Sequence, residues 1–294
     1  MTHFAVAVIS DGAKTVDELL APYQENNMGT CPREYLEFFD EEDEYLLKYE
    51  HDSVEMVKMP DGRMLYPWDE EFRKDGEFGY GSGAHEVPAD APLIKVPFKE
   101  KYETFEQFMA DWHGMPERNP ETDRYGYFEN PNAKWDWYQI GGRWRGMLRA
   151  TEGELGEPSW CNEEKDLPAG RFDIAKIGDI DFTRNQEIYD RAIAEWEFNV
   201  EGKGDDESLR WWCSTDYMVK HYGNKEAFAK VESTLFWRAV ITPDGQWHEV
   251  GEMGWFGCSS ESGDEYADWA LHFKERFIDP CDPEYILHVV DCHI

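Results

Sequence analysis

The chain has 294 residues, with 63 acidic and 29 basic side chains, and its formal net charge is −34. A charge of this size disfavours contact with nucleic-acid phosphates or with an anionic membrane, so we expect neither as a direct partner. It permits a basic protein as a partner. Aromatic residues make up 15% of the chain, which is too many for a disordered polypeptide and predicts a folded core.

The sequence also indicates a cytoplasmic location. No run of apolar residues is long enough to span a bilayer, and residues 1–10 lack the positively charged region of a signal peptide. The six cysteines are scattered without a Cys-x-x-Cys pair. This pattern is typical of reduced thiols, and not of a zinc knuckle or a disulfide framework.

The first elements in chain order are a strand and a helix. Residues 3–9 are rich in Val, Ile and Phe, which favours a β-strand, and Thr15 is a suitable N-cap for a helix that ends near residue 20. Residues 34–51 interleave acids with aromatic residues at spacings of three, four and seven, which predicts an amphipathic helix with a solvated acidic face. Residues 54–66 contain a Pro-Asp-Gly turn and predict a hairpin.

The last elements are a hairpin over residues 236–251, a helix over 264–278 and a strand over 285–294. Together with the first strand and helix, they predict an α+β fold whose terminal elements are ferredoxin-like, with an antiparallel sheet, helices and a long insertion. The first and last strands are then neighbours. We predict one compact domain over residues 1–294 with insertions, and an exposed excursion at about 151–170, where Gly, Glu and Pro are frequent.

A central segment, residues 130–149, combines aromatic and basic side chains in an acidic protein. Asn-Pro-Asn at 130–132 predicts a turn, and Gly141-Gly142 predicts a second turn. After the second turn, Arg143–Leu148 can form a strand. The segment is either a core hairpin whose arginines cover the rim, or a pocket for a planar anion. The candidate ligand-binding residues are Trp135, Asp136, Trp137, Tyr138, Arg143, Trp144, Arg145 and Trp255. The last of these, Trp255, belongs to a second loop of glycine and aromatic residues at 254–257.

Arg143 is the strongest of these candidates. It follows two glycines, where a ligand can approach the backbone closely, and it lies between Tyr138 and Trp144, either of which could stack on a ring. Arg145 is on the same side if the segment is extended. Asp136 either orients one of the arginines or forms a structural ion pair with it.

The candidate catalytic residues are His3, Asp291 and His293. Asp291 and His293 are two residues apart and therefore share a face of the last strand, where His3 joins them if the first strand is adjacent. Two histidines and a carboxylate suit acid–base chemistry or a metal ion. The alternative is hydrogen bonding at a sheet edge without a function. The motifs indicate no particular cofactor.

Four stretches carry a family resemblance: MTHFAVAVI at the start, NPNAKWDWYQIGGRW in the centre, GEMGWFG at 251–257 and VVDCHI at 289–294. They resemble a group of uncharacterised proteins from bacteriophages and other mobile elements, whose start typically reads Met-Ser-His-Phe-Thr-Val. The resemblance covers both ends and the middle of the chain. It implies a protein made in the cytoplasm of an infected or element-bearing bacterium, and it implies no known activity.

These observations lead to two main functional hypotheses. The first is a protein that binds, with or without hydrolysis, an anionic nucleotide-like small molecule and so counteracts host defence signalling. The alternative is an acidic inhibitor that mimics nucleic acid and occupies a basic host protein. A structural role without a pocket is a third hypothesis.

Overall fold

The computed structural model describes residues 2–72, 87–88, 91–114, 116–158, 167–253 and 259–294. The chain divides into two compact units. Unit 1 comprises residues 1–36 and 130–294, and unit 2 is the intervening segment 37–129. Of the expected excursion, the flanking residues 151–155 and 168–169 are exposed, and residues 159–166 lie outside the described residues.

The structure contains both strands and helices throughout the chain. The strands are β1 (His3–Ser10), β2 (Glu37–Asp40), β3 (Ser53–Lys58), β4 (Met64–Leu65), β5 (Leu93–Pro97), β6 (Glu117–Arg118), β7 (Tyr125–Glu129), β8 (Trp137–Ile140), β9 (Leu148–Arg149), β10 (Arg171–Phe172), β11 (Ile174–Lys176), β12 (Ala239–Ile241), β13 (Trp247–Glu249) and β14 (Ile286–His293). The α-helices are α1 (Val16–Leu20), α2 (Glu42–His51), α3 (Phe98–Lys101), α4 (Phe105–Trp112), α5 (Gln186–Asn199), α6 (Thr215–Tyr222), α7 (Lys225–Glu232) and α8 (Gly263–Phe273). Among the helices described, none is both long and apolar enough to cross a membrane.

Unit 1 is built around a mixed six-stranded sheet. β1 lies between β14, to which it is antiparallel, and β12, to which it is parallel. β14 also pairs with β11 and β8, and β13 pairs with β12 at the opposite edge. The two terminal strands therefore occupy the middle of the sheet, joined over eight residue pairs from His3↔His293 to Ser10↔Ile286.

The α+β class and the expected pairing of the terminal strands are confirmed. The terminal elements follow the ferredoxin-like order in the chain: β1, α1, the β12–β13 hairpin, α8 and β14. In the sheet, however, the order is β14-β1-β12-β13, so the first strand of the hairpin neighbours β1. In a ferredoxin-like sheet another strand would lie between β1 and the first strand of the hairpin, whereas here β1 and β12 are direct neighbours.

Side chains alternate between the two faces of this sheet, and each face buries its own core. The face covered by α8, called the α8 face, packs Ala5, Ala7, Ile9, Leu287 and Val289 against Trp237, Trp269 and Phe273. The opposite face, called the α1 face, packs Phe4, Val6, Val8, Val290 and Cys292 against Leu19, Leu20 and Trp135. Burial on both faces explains why β1 and β14 are almost continuously apolar.

Unit 2 has its own hydrophobic core, which includes Phe98, Phe108 and Met109. It contains two three-stranded sheets, β2-β7-β6 and β4-β3-β5. The expected hairpin at 54–66 is confirmed by the antiparallel pairing of β3 with β4. The expected helix at 34–51 is shorter, because residues 37–40 form the strand β2 and the helix α2 begins at Glu42.

Candidate functional site

Three rings lie in one row on neighbouring strands of the unit 1 sheet, at the end where β1 and β8 begin and β14 finishes. His3 on β1 pairs with His293 on β14, and His293 pairs with Trp137 on β8. The imidazole centroids of His3 and His293 are 5.0 Å apart, and the Trp137 indole stacks on His293 at 5.1 Å with an interplanar angle of 18°. His3 is two residues from Ala5 on β1, and His293 is four residues from Val289 on β14, so both histidines point to the α8 face. Trp137 pairs with His293 and points to the same face.

Each imidazole is hydrogen-bonded to its own carboxylate. His3 Nδ1 lies 2.8 Å from Asp291 Oδ1, and His293 Nδ1 lies 2.6 Å from Asp136 Oδ1. A carboxylate at Nδ1 favours the tautomer that carries its proton there and leaves a lone pair on Nε2. The two Nε2 atoms form no hydrogen bond with any residue that the structure describes. The arrangement therefore fixes the orientation of two imidazoles; both side chains are largely buried, and His3 lines a cavity on this face.

Asp291 connects the histidine pair to the central segment. It is fully buried, at 0% exposure, and its second oxygen accepts a hydrogen bond from the backbone N–H of Arg143 at 2.8 Å. Gly142 makes this approach possible: a Cβ atom built there would lie 2.8 Å from Asp291 Cγ and closer still to its Oδ2 and Cβ atoms. Gly142 has φ +48°, in the left-handed region that glycine adopts without steric cost.

Asp173 is a second buried carboxylate, which sequence reasoning missed. At 0% exposure, it accepts hydrogen bonds from the backbone N–H groups of Gly146 and Gly156, the latter at 2.7 Å. A Cβ atom at Gly141 would lie 2.6 Å from Asp173 Cγ. The available signal was an isolated acid between two apolar residues, Phe172 and Ile174, because an acid in such a run is buried only when it has partners.

Residues 143–146 form a turn, so the expected strand over Arg143–Leu148 is wrong for most of its length. Only Leu148 and Arg149, in β9, are extended. The turn forms because Asp291 and Asp173 bind backbone N–H groups that a strand would use in its ladder. Arg143 and Arg145 are consequently not placed on one side of an extended segment.

The expected pairing of Asp136 with an arginine is also wrong. Asp136 Oδ1 accepts from the Trp137 backbone N–H at 2.7 Å and contacts His293 Nδ1, so this carboxylate belongs to the histidine pair. The Arg143 side chain is exposed and has no ion pair with any described residue. Arg145 is half-buried, and its Nε lacks a hydrogen-bond partner within the described part of the chain.

The structure separates the candidate aromatic residues. Trp135 is 5% exposed, and its Nε1 donates to the carbonyl oxygen of Leu20, so its ring belongs to the core and cannot stack on a ligand while it stays there. Tyr138 lies on the α1 face, opposite Trp137, and donates its hydroxyl to Asp17. It therefore does not flank Arg143 together with Trp144. Trp255 lies outside the described residues.

A cavity of about 240 Å³ borders His3 on the α8 face. Its walls include Trp144, which keeps Trp144 as a candidate for ligand contact. Sequence reasoning missed two charged residues of this cavity, Arg238 and Glu261, whose side chains lie 2.8 Å apart. Neither residue belongs to a recognisable motif, and their proximity depends on the position of β12.

Cys292 lies between Asp291 and His293 in sequence, but its side chain is on the α1 face. Burial raises the pKa of its thiol well above the usual range, and the neighbouring Asp291 and Asp136 carboxylates raise it further. The thiol therefore stays protonated and is not a nucleophile at this site.

The described ranges contain no group of three or more His, Cys, Asp or Glu side chains arranged to hold a metal ion. His3, Asp291 and His293 do converge, as expected, but as parts of two Asp–His hydrogen bonds. Comparisons with protein-family models, with curated proteins and with solved structures gave no match to this chain.

Proposed function

We propose that the α8 face of unit 1 binds an anionic, nucleotide-like small molecule and hydrolyses a phosphoester bond in it. The observation that carries this proposal is the pair of adjacent Asp–His hydrogen bonds, with imidazole centroids 5.0 Å apart. A carboxylate at Nδ1 fixes the orientation and the tautomer of an imidazole, which is the support that a general acid or base requires. Hydrolysis uses one acid and one base, and this face offers two such rings.

The proposed reaction exchanges one bond at phosphorus. One imidazole, in its neutral form, accepts a proton at Nε2 from a water molecule whose oxygen forms a bond to phosphorus. The bond from phosphorus to the leaving oxygen breaks, and the other imidazole, in its protonated form, donates its Nε2 proton to that oxygen. Exchange with solvent then restores both imidazoles. Because the acid must be protonated and the base neutral, the rate should fall on both sides of a pH optimum.

The basic turn beside the histidines supports an anionic ligand. Arg143 is exposed, and its backbone is fixed to Asp291, the partner of His3. A guanidinium group stays charged at any physiological pH and matches the geometry of phosphate oxygens. Trp144, on the same turn and at the edge of the cavity, offers an aromatic surface to a base.

The biological role that we propose follows from the family resemblance and from this chemistry together. In an infected or element-bearing bacterium, destruction of a nucleotide-like signal would counteract host defence. The acidic-mimic alternative assigns no role to the histidines. Substitutions at His3 and His293 therefore separate the two hypotheses.

The test measures release of 4-nitrophenol from bis(4-nitrophenyl) phosphate, followed by a panel of linear and cyclic nucleotides analysed by mass spectrometry. Asparagine substitutions at His3 and His293 keep a polar group near the Nδ1 position and remove Nε2. With a nucleotide of the panel, whose leaving oxygen needs a proton, each should lower kcat/KM by about 100-fold or more, the usual contribution of a general acid or base. Arg143→Ala should weaken binding of the most active nucleotide and leave the melting temperature nearly unchanged, because its side chain is exposed.

His288→Asn is the matched control, because His288 is on the same strand and its Nδ1 contacts the Val8 carbonyl oxygen at 3.3 Å. Burial lowers the pKa of His288 and keeps it neutral, so this histidine has no part in the proposed reaction. The control should retain full activity. Folded His3→Asn and His293→Asn variants with activity close to wild type, or a wild-type protein that hydrolyses no phosphoester in the panel, would refute the proposed hydrolysis.

A further inference from the structure

The cavity beside His3 contains a buried arginine that the proposed reaction does not use. Arg238 is 6% exposed and precedes β12, where its backbone N–H donates to the Ala5 carbonyl oxygen at 2.9 Å. Its side chain borders the cavity together with His3 and with Phe236 and Tyr266, whose rings stack at 4.4 Å. The histidine and the arginine thus lie on one cavity wall, with aromatic rings beside them.

Only one of the three guanidinium nitrogens of Arg238 has a charged partner within the described ranges. Nη1 lies 2.8 Å from Glu261 Oε2, at the distance of an ion pair, whereas Nε and Nη2 are buried without a hydrogen-bond partner among the described residues. Leaving charged donors buried and unpaired is costly, so a group that satisfies them has a strong energetic advantage at this position. Both atoms have almost no accessible surface, so a group in the cavity that Arg238 lines can reach them only if the Arg238 side chain shifts toward it.

The unoccupied edge has a specific shape. The N–H bonds of Nε and of one terminal nitrogen point in the same direction and form the fork that binds two oxygens of a phosphate or carboxylate. Glu261 Oε2 lies at ion-pair distance from the other terminal nitrogen, although this oxygen has no hydrogen-bond partner among the described residues. The ion pair therefore occupies one side of the guanidinium and leaves its bidentate edge without a partner among the described residues.

The size and charge of the cavity restrict what it can hold. Its volume, about 240 Å³, is below the range of about 300–1,000 Å³ that is usual for sites enclosing a whole drug-sized ligand. It therefore suits one small group of a larger molecule. Because Glu261 already offsets much of the charge of Arg238, a group with a single negative charge meets less repulsion there than a dianion.

We propose that this cavity is a subsite for one phosphoryl group of the ligand, held by the Nε and Nη2 edge of Arg238 next to His3. The inference rests on the proposed function for its ligand class, and it adds the residue that fixes which phosphoryl group is next to the imidazole. The remainder of the ligand then extends from the cavity along Trp144, which is one of the residues that line it. Arg238 is a binding residue in this proposal, and Glu261 is a positioning residue.

The test uses inorganic phosphate as the probe and measures its binding by ³¹P NMR titration at a pH where the monoanion predominates. Arg238→Lys keeps the positive charge and removes the fork, and we expect phosphate affinity to fall at least tenfold. Glu261→Gln keeps an oxygen for Nη1 and removes the negative charge, and we expect affinity to rise severalfold. Hydrogen exchange of the β14 amides verifies that each variant is folded.

His3→Asn separates this inference from the proposed hydrolysis. It removes the reacting Nε2 and leaves Arg238 in place, so it should abolish turnover and retain phosphate binding within a fewfold of wild type. Phosphate affinity that is unchanged in a folded Arg238→Lys protein overturns the subsite. If that variant does not fold, unchanged or weaker binding by Glu261→Gln overturns it, as does the absence of saturable phosphate binding to the wild-type protein.

Discussion

Replacement of Gly142 by alanine tests the link between the central segment and the histidine pair. The added Cβ atom would lie 2.8 Å from Asp291 Cγ, whereas carbon atoms in contact are ordinarily about 3.5–4.0 Å apart. Asp291 cannot move away freely, because it is fully buried on a strand paired with β1 and β8. The collision must therefore be relieved by moving the turn, which breaks the hydrogen bond from Arg143 N–H to Asp291.

Two contributions determine the magnitude of the effect. A non-glycine residue at positive φ costs about 1–2 kcal/mol, and Gly142 has φ +48°. Insertion of a methyl group into filled space costs about 1–3 kcal/mol more. We therefore expect Gly142→Ala to lower the free energy of unfolding of unit 1 by about 2–5 kcal/mol, and to reduce turnover because Asp291 no longer holds His3 in place.

Gly29→Ala is the matched control. Gly29 also belongs to unit 1 and has positive φ, at +66°, but no atom lies within 4 Å of a Cβ atom built there. Gly29→Ala should lower the free energy of unfolding by about 1–2 kcal/mol, which is the cost of a positive φ without a steric collision. Urea denaturation followed by hydrogen exchange of the β14 amides reports the stability of unit 1 separately from that of unit 2.

The comparison of the two alanine variants decides the outcome. A Gly142→Ala protein that is no less stable than Gly29→Ala would show that the turn does not approach Asp291 as closely as described. A destabilised Gly142→Ala protein with normal turnover would show that Asp291 does not position His3 for the reaction. Either result refutes the proposed connection between the turn and the histidine pair.

Three further predictions test other parts of the site. Asp173→Ala leaves the buried N–H of Gly146 and the partly buried N–H of Gly156 unpaired, and it should lower the free energy of unfolding by about 2–5 kcal/mol, measured in urea. Tyr138→Phe should leave nucleotide binding unchanged in a titration and cost only about 0.5–1.5 kcal/mol, because the hydroxyl bonds to Asp17 on the α1 face. Burial alone would raise the pKa of Glu261, but its hydrogen bonds lower that pKa overall. Its contribution to stability is therefore present above the unfolded pKa of a glutamate, about 4.3, and is lost as pH falls through the lower folded pKa, so the melting temperature of Glu261→Gln should change less on acidification than that of wild type.

Local patterns were sufficient to predict the sheet centre and part of the site. The apolar character of residues 3–9 and 285–294 identified β1 and β14, and the two-residue period placed Asp291 and His293 on one face. The same period also separates Trp137 from Tyr138, so the assignment of both rings to one pocket was wrong on grounds available in the sequence.

The remaining site residues depend on tertiary structure. Asp136 reaches His293 only because β8 pairs with β14 in a particular register, and no local pattern specifies that register. The turn at 143–146 forms because Asp291 and Asp173, distant in sequence, bind its backbone N–H groups. Arg238 and Glu261 likewise meet through the position of β12 beside β1. In each case the deciding interaction joins segments that the sequence keeps far apart.

The energetics of the histidine pair argue for a functional role. Two carboxylates and two imidazoles lie in or beside strands whose α8 face is otherwise mostly apolar. Replacement of buried polar pairs by apolar residues of similar volume is often neutral or stabilising, so fold stability alone does not account for them. The hydrogen bonds that satisfy both Nδ1 atoms remove most of the penalty of burial, and they leave Nε2 as the atom without a structural partner in the described part of the chain. A network that satisfies Nδ1 of each ring and leaves Nε2 without a partner among the described residues supports the proposed chemistry at Nε2.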